Sequence, residues 1–272
     1  MTCDVEDYFQ VQAFEDVIAR DAWNHLPSRV EGNTNRVLDL FAQANIKATF
    51  FTLGWVAERF PALVRRIIAE GHELASHGMD HVRANHQDRM TFRTDVSDTK
   101  ALLEDIGGVP VRGYRAASFS IGEQNLWALE VLAEIGYRYS SSIYPIKHDL
   151  YGMPGAPRFA FHPFPGSNFT EIPVTTVELF GKRLPCGGGG YFRLLPYALS
   201  RAAMRRINVE GGACMFYFHP WEIDPDQPRQ TQAPLKSRFR HYTNLRHMEA
   251  KLSRVLQDFS WGRVDDVFLK AA

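Results

Sequence analysis

Two histidines four residues apart, His77 and His81, sit in the segment Ser76-His77-Gly78-Met79-Asp80-His81. An acidic cluster, Asp4-Val5-Glu6-Asp7, stands near the start of the chain. If 77–81 forms one helical turn, residues i and i+4 share a face and both imidazoles point the same way. Two imidazoles and one carboxylate suit a divalent transition metal with open positions, which is what metal-assisted hydrolysis needs. The chain has 10 histidines, so the spacing alone carries little weight. Asp4 and Glu6 alternate with Val5, so on a strand both acids face one side and Asp7 faces the other. One carboxylate can then bind metal while its neighbour stays free as a general base. The spacing favours Asp4 as base and Glu6 as ligand, with Asp7 the alternative for either role. Arg115 could pair with a carboxylate and keep it ionised and oriented. His219 ends an apolar run and precedes Pro220-Trp221-Glu222, which makes it a candidate general acid. Trp221, Tyr191 and Phe192 could stack on sugar rings.

The elements that must position these residues alternate along the chain. Met1 to Asp4 reads as a first strand. Asn33 or Thr34 can cap a helix carrying Val37, Leu38, Phe41 and Ala44 at helical spacing. Residues 48–53 read as a strand, and an amphipathic helix from Val56 to Ile68 follows, stopped at Gly71. Glu73 to Ser76 is a short strand delivering His77 at its end. The pattern repeats: a helix over 91–106, a strand over 111–116, a helix over 126–135 and a strand over 137–143. Repeated β-α pairs predict a parallel sheet or barrel, with function at the C-terminal ends of the strands. Residues 144–196, with Gly187 to Gly190, read as long loops or short strands rather than helices. Glu171 to Val174 could be a strand. Residues 196–209 read as a helix, 213–218 as a strand ending at His219, 222–240 as a polar lid or linker, and 244–259 as a final amphipathic helix.

The 272 residues suffice for one full core, and 31 basic against 31 acidic residues give no electrostatic case for nucleic acid. Cys3, Cys186 and Cys214 are few and scattered, which argues against a disulfide framework or a cysteine-built zinc site. No apolar stretch is long enough to span a membrane. The absence of a basic region followed by an apolar run predicts a cytoplasmic location, or export by a leader already removed.

In order and spacing these residues resemble the polysaccharide deacetylases of carbohydrate esterase family 4, which share the nodulation-type deacetylase domain. That family carries an N-terminal acidic pair, H-S/T-x-x-H, R-x-P-Y, a later Asp-containing strand and a final x-x-L-x-H. The corresponding residues here are Asp4 to Asp7, His77 to His81, Arg115 to Ser118, Tyr139 to Ser142 and Phe216 to His219. Within the family, the D-V-E-D-Y-F, G-G-G-Y-F-R and F-H-P-W-E segments are similar to the branch found with exosortase (PEP-CTERM) exopolysaccharide systems. The resemblance implies an α/β fold, a distorted (β/α)7-8 barrel over residues 1–222, with residues 223–272 as a C-terminal extension packed on it. It also implies a divalent metal, usually zinc, held by one acid and two histidines, and N-deacetylation of N-acetylhexosamine units in a polysaccharide or oligosaccharide. On that reading Asp4 is the base, His219 the acid and Arg115 the residue holding Asp4, while Ser118 supplies a backbone N–H for the oxyanion. The chain departs from the pattern at Gly78, Ala117, Ser118 and Ser140. Ser140 stands where the family has the Asp that orients the catalytic histidine, a role that Asp149 or Glu222 could take. Acids two apart resemble peptidoglycan-deacetylase and allantoinase-like relatives, which favours Glu6 over Asp7. The rival readings are an allantoinase-like amidase acting on a small amide and a non-catalytic carbohydrate-binding relative.

Overall fold

The computed structural model describes residues 1–148 and 151–269. Strand β1 (Thr2–Val5) is buried along its whole length, as a parallel strand covered on both faces must be. It is followed by β2 (Thr49–Thr52), β3 (Glu73–Ser76), β4 (Gly113–Tyr114), β5 (Tyr139–Ser140) and β6 (Thr170–Glu171). An antiparallel hairpin, β7 (Thr176–Leu179) and β8 (Lys182–Pro185), stands apart. β9 (Tyr217–Phe218) then returns to the main sheet. That sheet has seven strands in the order β6-β5-β4-β3-β2-β1-β9, all paired in parallel. It is the curled α/β sheet of an incomplete barrel, with β6 and β9 at its edges.

Helices α1 (Val30–Gln43), α2 (Gly54–Arg59), α3 (Pro61–Ala69), α4 (Arg89–Gly107) and α5 (Trp127–Ile135) supply the crossovers. The stops of α4 and α5 are the expected glycines, Gly108 at φ 66° and Gly136 at φ 94°. Two boundaries differ from expectation. The helix over 56–68 is broken at Phe60, because Pro61 begins a new helix at its first position. Helix α1 begins ahead of Asn33 and Thr34, which lie inside it; its first amides, Arg29 and Val30, donate to Oδ2 of Asp7 at 2.7 and 3.1 Å. A carboxylate 22 residues upstream thus serves where a local cap was expected.

The later chain adds α6 (Gly189–Leu194), α7 (Tyr197–Val209), α8 (Leu235–Tyr242), α9 (Leu245–Asp258) and α10 (Val264–Phe268). α6 lies where loops or strands were expected, and α8 begins inside the stretch read as a lid. Met248, Leu252 and Val255 of α9 share one core cluster with Cys3 and Val5 of β1 and with Val37, Leu38 and Phe41 of α1. A second cluster lies under α4 and α5. At the N-terminal ends of the strands, α10 closes the sheet: Val264 N donates to Thr49 Oγ1 at 2.8 Å and Asp265 N to Glu73 Oε2 at 3.1 Å.

Candidate metal and hydrolytic site

The opposite, C-terminal ends of the strands surround a cavity of about 180 Å³ whose wall includes Asp4, Glu6, His77, His81, Ser118 and His219. β1 delivers Asp4 on its last turns of backbone and Glu6 just beyond its end. β3 delivers His77. The helical turn expected over 77–81 does not form. The chain leaves β3 through Gly78 at φ 78° and reaches His81 at φ 56°, and this left-handed loop, not a helix face, turns the two rings together. Their centroids are 5.3 Å apart.

One oxygen of Glu6 and one ring nitrogen from each of His77 and His81 lie within 4.8 Å of one another. Oε2 of Glu6 is buried without a hydrogen-bond donor of ordinary geometry. Its neighbours are Nε2 of His81 at 2.9 Å and Nε2 of His77 at 3.9 Å. An orphaned carboxylate oxygen facing two imidazoles could hold a divalent metal. Nδ1 of His77 is 2.9 Å from the carbonyl of Arg115; an N–H there leaves Nε2 with its lone pair toward Glu6. Burial lowers the His77 pKa to about 4, so the ring is neutral as a ligand must be. Burial would raise Glu6, but the facing His81 and His219 outweigh it and bring the carboxyl down to about 2.

Asp7 is committed elsewhere. Its Oδ2 also accepts from Ser28 Oγ at 2.7 Å and its Oδ1 from Tyr8 N at 2.9 Å, so both oxygens are engaged at the start of α1. Asp4 is met by the fully buried Arg115, whose Nη1 donates to Asp4 Oδ1 at 2.5 Å and to Thr2 Oγ1 at 2.9 Å. Arg115 is itself held by the carbonyl and hydroxyl of Ser141 at 3.1 and 3.0 Å. Oδ2 of Asp4 faces Nε2 of His219 at 4.0 Å, and the same nitrogen is 3.5 Å from Glu6 Oε1. Nδ1 of His219 pairs with Glu222 Oε1 at 2.9 Å. Burial opposes a charge on His219, but Glu6, Glu222 and Asp4 outweigh it and raise the ring to about 9. Ser118, at φ 54°, forms part of the cavity wall in a left-handed turn with Phe119 at φ 50°.

Of the two aromatic expectations, the structure brings Trp221 to the cavity wall and leaves Tyr191 away from it. Trp221 is only 6% exposed, stacked on His219 at 5.0 Å and on His241 at 4.1 Å. Its indole N–H points to Glu6 Oε1 at 3.3 Å. Tyr191 rides on α6, which turns Phe192 and Arg193 inward, and it is not part of the cavity wall. Phe192 is buried in the core. Tyr151, Tyr217, Phe119 and Arg240 also border the cavity. Of the two carboxylates considered for His219, Glu222 is in contact, and Asp149 lies outside the described residues.

Residues 14–140 match the family model described as polysaccharide deacetylase. The chain carries a polysaccharide deacetylase domain. Residues 141–269 match a second model, a domain of unknown function (DUF3473). A peptidoglycan-N-acetylglucosamine deacetylase of Bacillus cereus is 36% identical over 98 residues, which is 36% of each chain. A chitooligosaccharide deacetylase of Sinorhizobium fredii is 48% identical over 48 residues, 18% of this chain and 22% of its own. The matched stretches thus span about a third or less of these relatives' lengths. Among solved structures, one from Mycobacterium smegmatis assigned to the polysaccharide deacetylases aligns over 98% of this chain and 87% of its own, at TM-score 0.59 and 23% identity. That likeness shows the fold. Asp4 and Glu6 precede the deacetylase match, and His219 falls in the half of unknown function, so the cavity draws on both matched regions and on the segment ahead of them.

Proposed function

We propose that this protein is a metal-dependent hydrolase that removes N-acetyl groups from N-acetylhexosamine units of a bacterial polysaccharide or its precursor, within exopolysaccharide synthesis. One observation carries this reading: Glu6, His77 and His81 converge on an orphaned carboxylate oxygen, with Asp4 and His219 on its border. Glu6, His77 and His81 would hold the ion, and two imidazoles with one carboxylate favour zinc. Once bound, such an ion polarises the acetamide oxygen and acidifies a water.

The chain's own residues do the rest. Arg115 occupies Oδ1 of Asp4, so Oδ2 is the oxygen that accepts a proton from the attacking water. The water oxygen bonds to the acetyl carbon, and the backbone N–H at Ser118 helps to hold the negative oxygen. His219 delivers a proton from Nε2 to the departing nitrogen as the C–N bond breaks. Acetate and a free amine result, and a neutral sugar becomes cationic.

Acetate release from acetylated glucosamine oligomers and polymer by the zinc-loaded protein tests this, with one free amine expected per acetate. A zinc-loaded protein that opens a small cyclic amide and releases no acetate overturns it in favour of the allantoinase-like reading.

A further inference from the structure

Gly187 to Gly190 and the His219-Pro220-Trp221-Glu222 turn are distant in sequence and pack together. A Cβ on Gly187 would overlap the Met215 carbonyl, and one on Gly189 would overlap the Glu222 carboxylate. Glycine is therefore required for this strand end and this acid to approach. Both oxygens of Glu222 are then taken. Oε1 accepts from the His219 backbone N–H at 3.0 Å and faces its Nδ1 at 2.9 Å, while Oε2 accepts from Arg193 Nε at 2.7 Å. Arg193 and Glu222 are 2% and 1% exposed. Nη1 and Nη2 of the guanidinium donate to the carbonyls of Arg240, His241 and Thr243, at 3.1, 2.9 and 2.5 Å. His241 in turn stacks on Trp221, which stacks on His219. Meanwhile the Ser140 hydroxyl, at the position where a carboxylate was expected, is bonded to Ser142 Oγ at 2.8 Å.

We propose that the half of the chain with no assigned role completes the hydrolytic site: Glu222, fixed by Arg193 and admitted by Gly189, is the positioning residue that orients His219. The inference rests on the deacetylase reading and adds the source of the acid arm. Nδ1–H of His219 is held on Glu222, which directs Nε2 into the cavity. When Nε2 gives its proton to the leaving amine, the ring returns to the neutral form with Nδ1–H still on Glu222. A buried arginine balances the carboxylate, so the arm is a hydrogen-bonded Arg193–Glu222–His219 series. Arg193 also pins the backbone of residues 240–243, so the same side chain sets the cavity wall at His241.

The test compares two substrates on the full-length, zinc-loaded protein. An acetylated glucosamine oligomer needs a protonated leaving amine. An aryl acetate, 4-nitrophenyl acetate, loses a phenolate that needs no proton. In Glu222→Gln, kcat on the oligomer is expected to fall about 100-fold, the lower end of general-acid effects. Zinc content and KM should be unchanged, and the aryl acetate rate should fall less than about threefold. Arg193→Met should show the same selective loss, and Arg193→Lys should recover part of it. If E222Q does not fold, Glu222→Asp keeps the charge one methylene further back and should show the selective loss in weaker form. Equal losses on both substrates, or full oligomer activity in E222Q, overturn the proposal. A wild-type protein that releases no acetate from the oligomer instead sinks the deacetylase reading itself.

Discussion

The two ends of the parallel sheet each bury a glutamate, and their surroundings have driven the two in opposite directions. Glu6, beyond the C-terminal end of β1, faces three imidazoles and is held near a pKa of about 2. Glu73, at the N-terminal start of β3, is raised to about 7 by burial, with Asp265 adding to the effect. Its hydrogen-bond partners are neutral: Thr49 Oγ1, the Tyr139 hydroxyl at 2.9 Å and the Asp265 amide at 3.1 Å. Both are buried carboxylates of one residue type, at opposite ends of one sheet. The difference is what faces them. Neutral donors satisfy an acid and leave it structural, whereas imidazoles with an orphaned oxygen leave it ready for a cation.

That contrast can be broken from either end. His77→Ala should have the largest effect, with loss of stoichiometric zinc and of more than about a thousandfold in acetate release, checked by metal analysis and kinetics. A variant that keeps one zinc per chain removes His77 from the ligand set. Asp4→Asn should keep the zinc and lose about 10²–10⁴-fold in kcat, the range of general-base effects. An unimpaired rate there takes the base away from Asp4. Arg115→Met strips a fully buried charge from Asp4 and should cost about 3–5 kcal/mol in urea unfolding, besides activity.

Glu73→Gln should have the smallest effect on catalysis, leaving kcat within about twofold, because nothing at that end touches the cavity. Its signature is in stability. The folded carboxyl holds its proton up to about 7, while the unfolded one ionises near 4.5. The benefit is thus complete below the unfolded value and is lost as pH rises through the window from about 4.5 to about 7. The loss is on the order of 3 kcal/mol. Thermal unfolding of E73Q across that window should be nearly flat where the wild type declines. A wild type that shows no decline would place Glu73 among ordinary ionised acids.

Local rules made the β-α alternation legible. Gly108 and Gly136 stop α4 and α5, and the apolar spacing of Val37, Leu38 and Phe41 marks α1. Strand ends collect chemistry in such folds, which singled out His77, His81, Asp4, Glu6 and His219, residues that the structure gathers around one cavity. What stayed hidden depended on contacts between distant residues. The start of α1 is set by Asp7, and no window around Val30 contains it. The His77/His81 geometry comes from left-handed backbone at 78 and 81, not from a helical repeat. Trp221 reaches the cavity wall as expected, but its stacking on His219 and His241, which leaves it 6% exposed, could not be read from sequence. Tyr191 stays out of the cavity wall because the helix at 189–194 sends its neighbours inward.

The placement of β1 between β2 and β9 also sets an order of assembly. Thr2 Oγ1 donates to the Phe216 carbonyl across 214 residues of sequence. On the proposed ligand set, a growing chain has made every metal ligand by His81. It has no acid arm until β9 is synthesised and docks beside β1. Metal capture can precede hydrolytic competence by about half of the protein's length, and the contact that confers competence waits on the later half of translation.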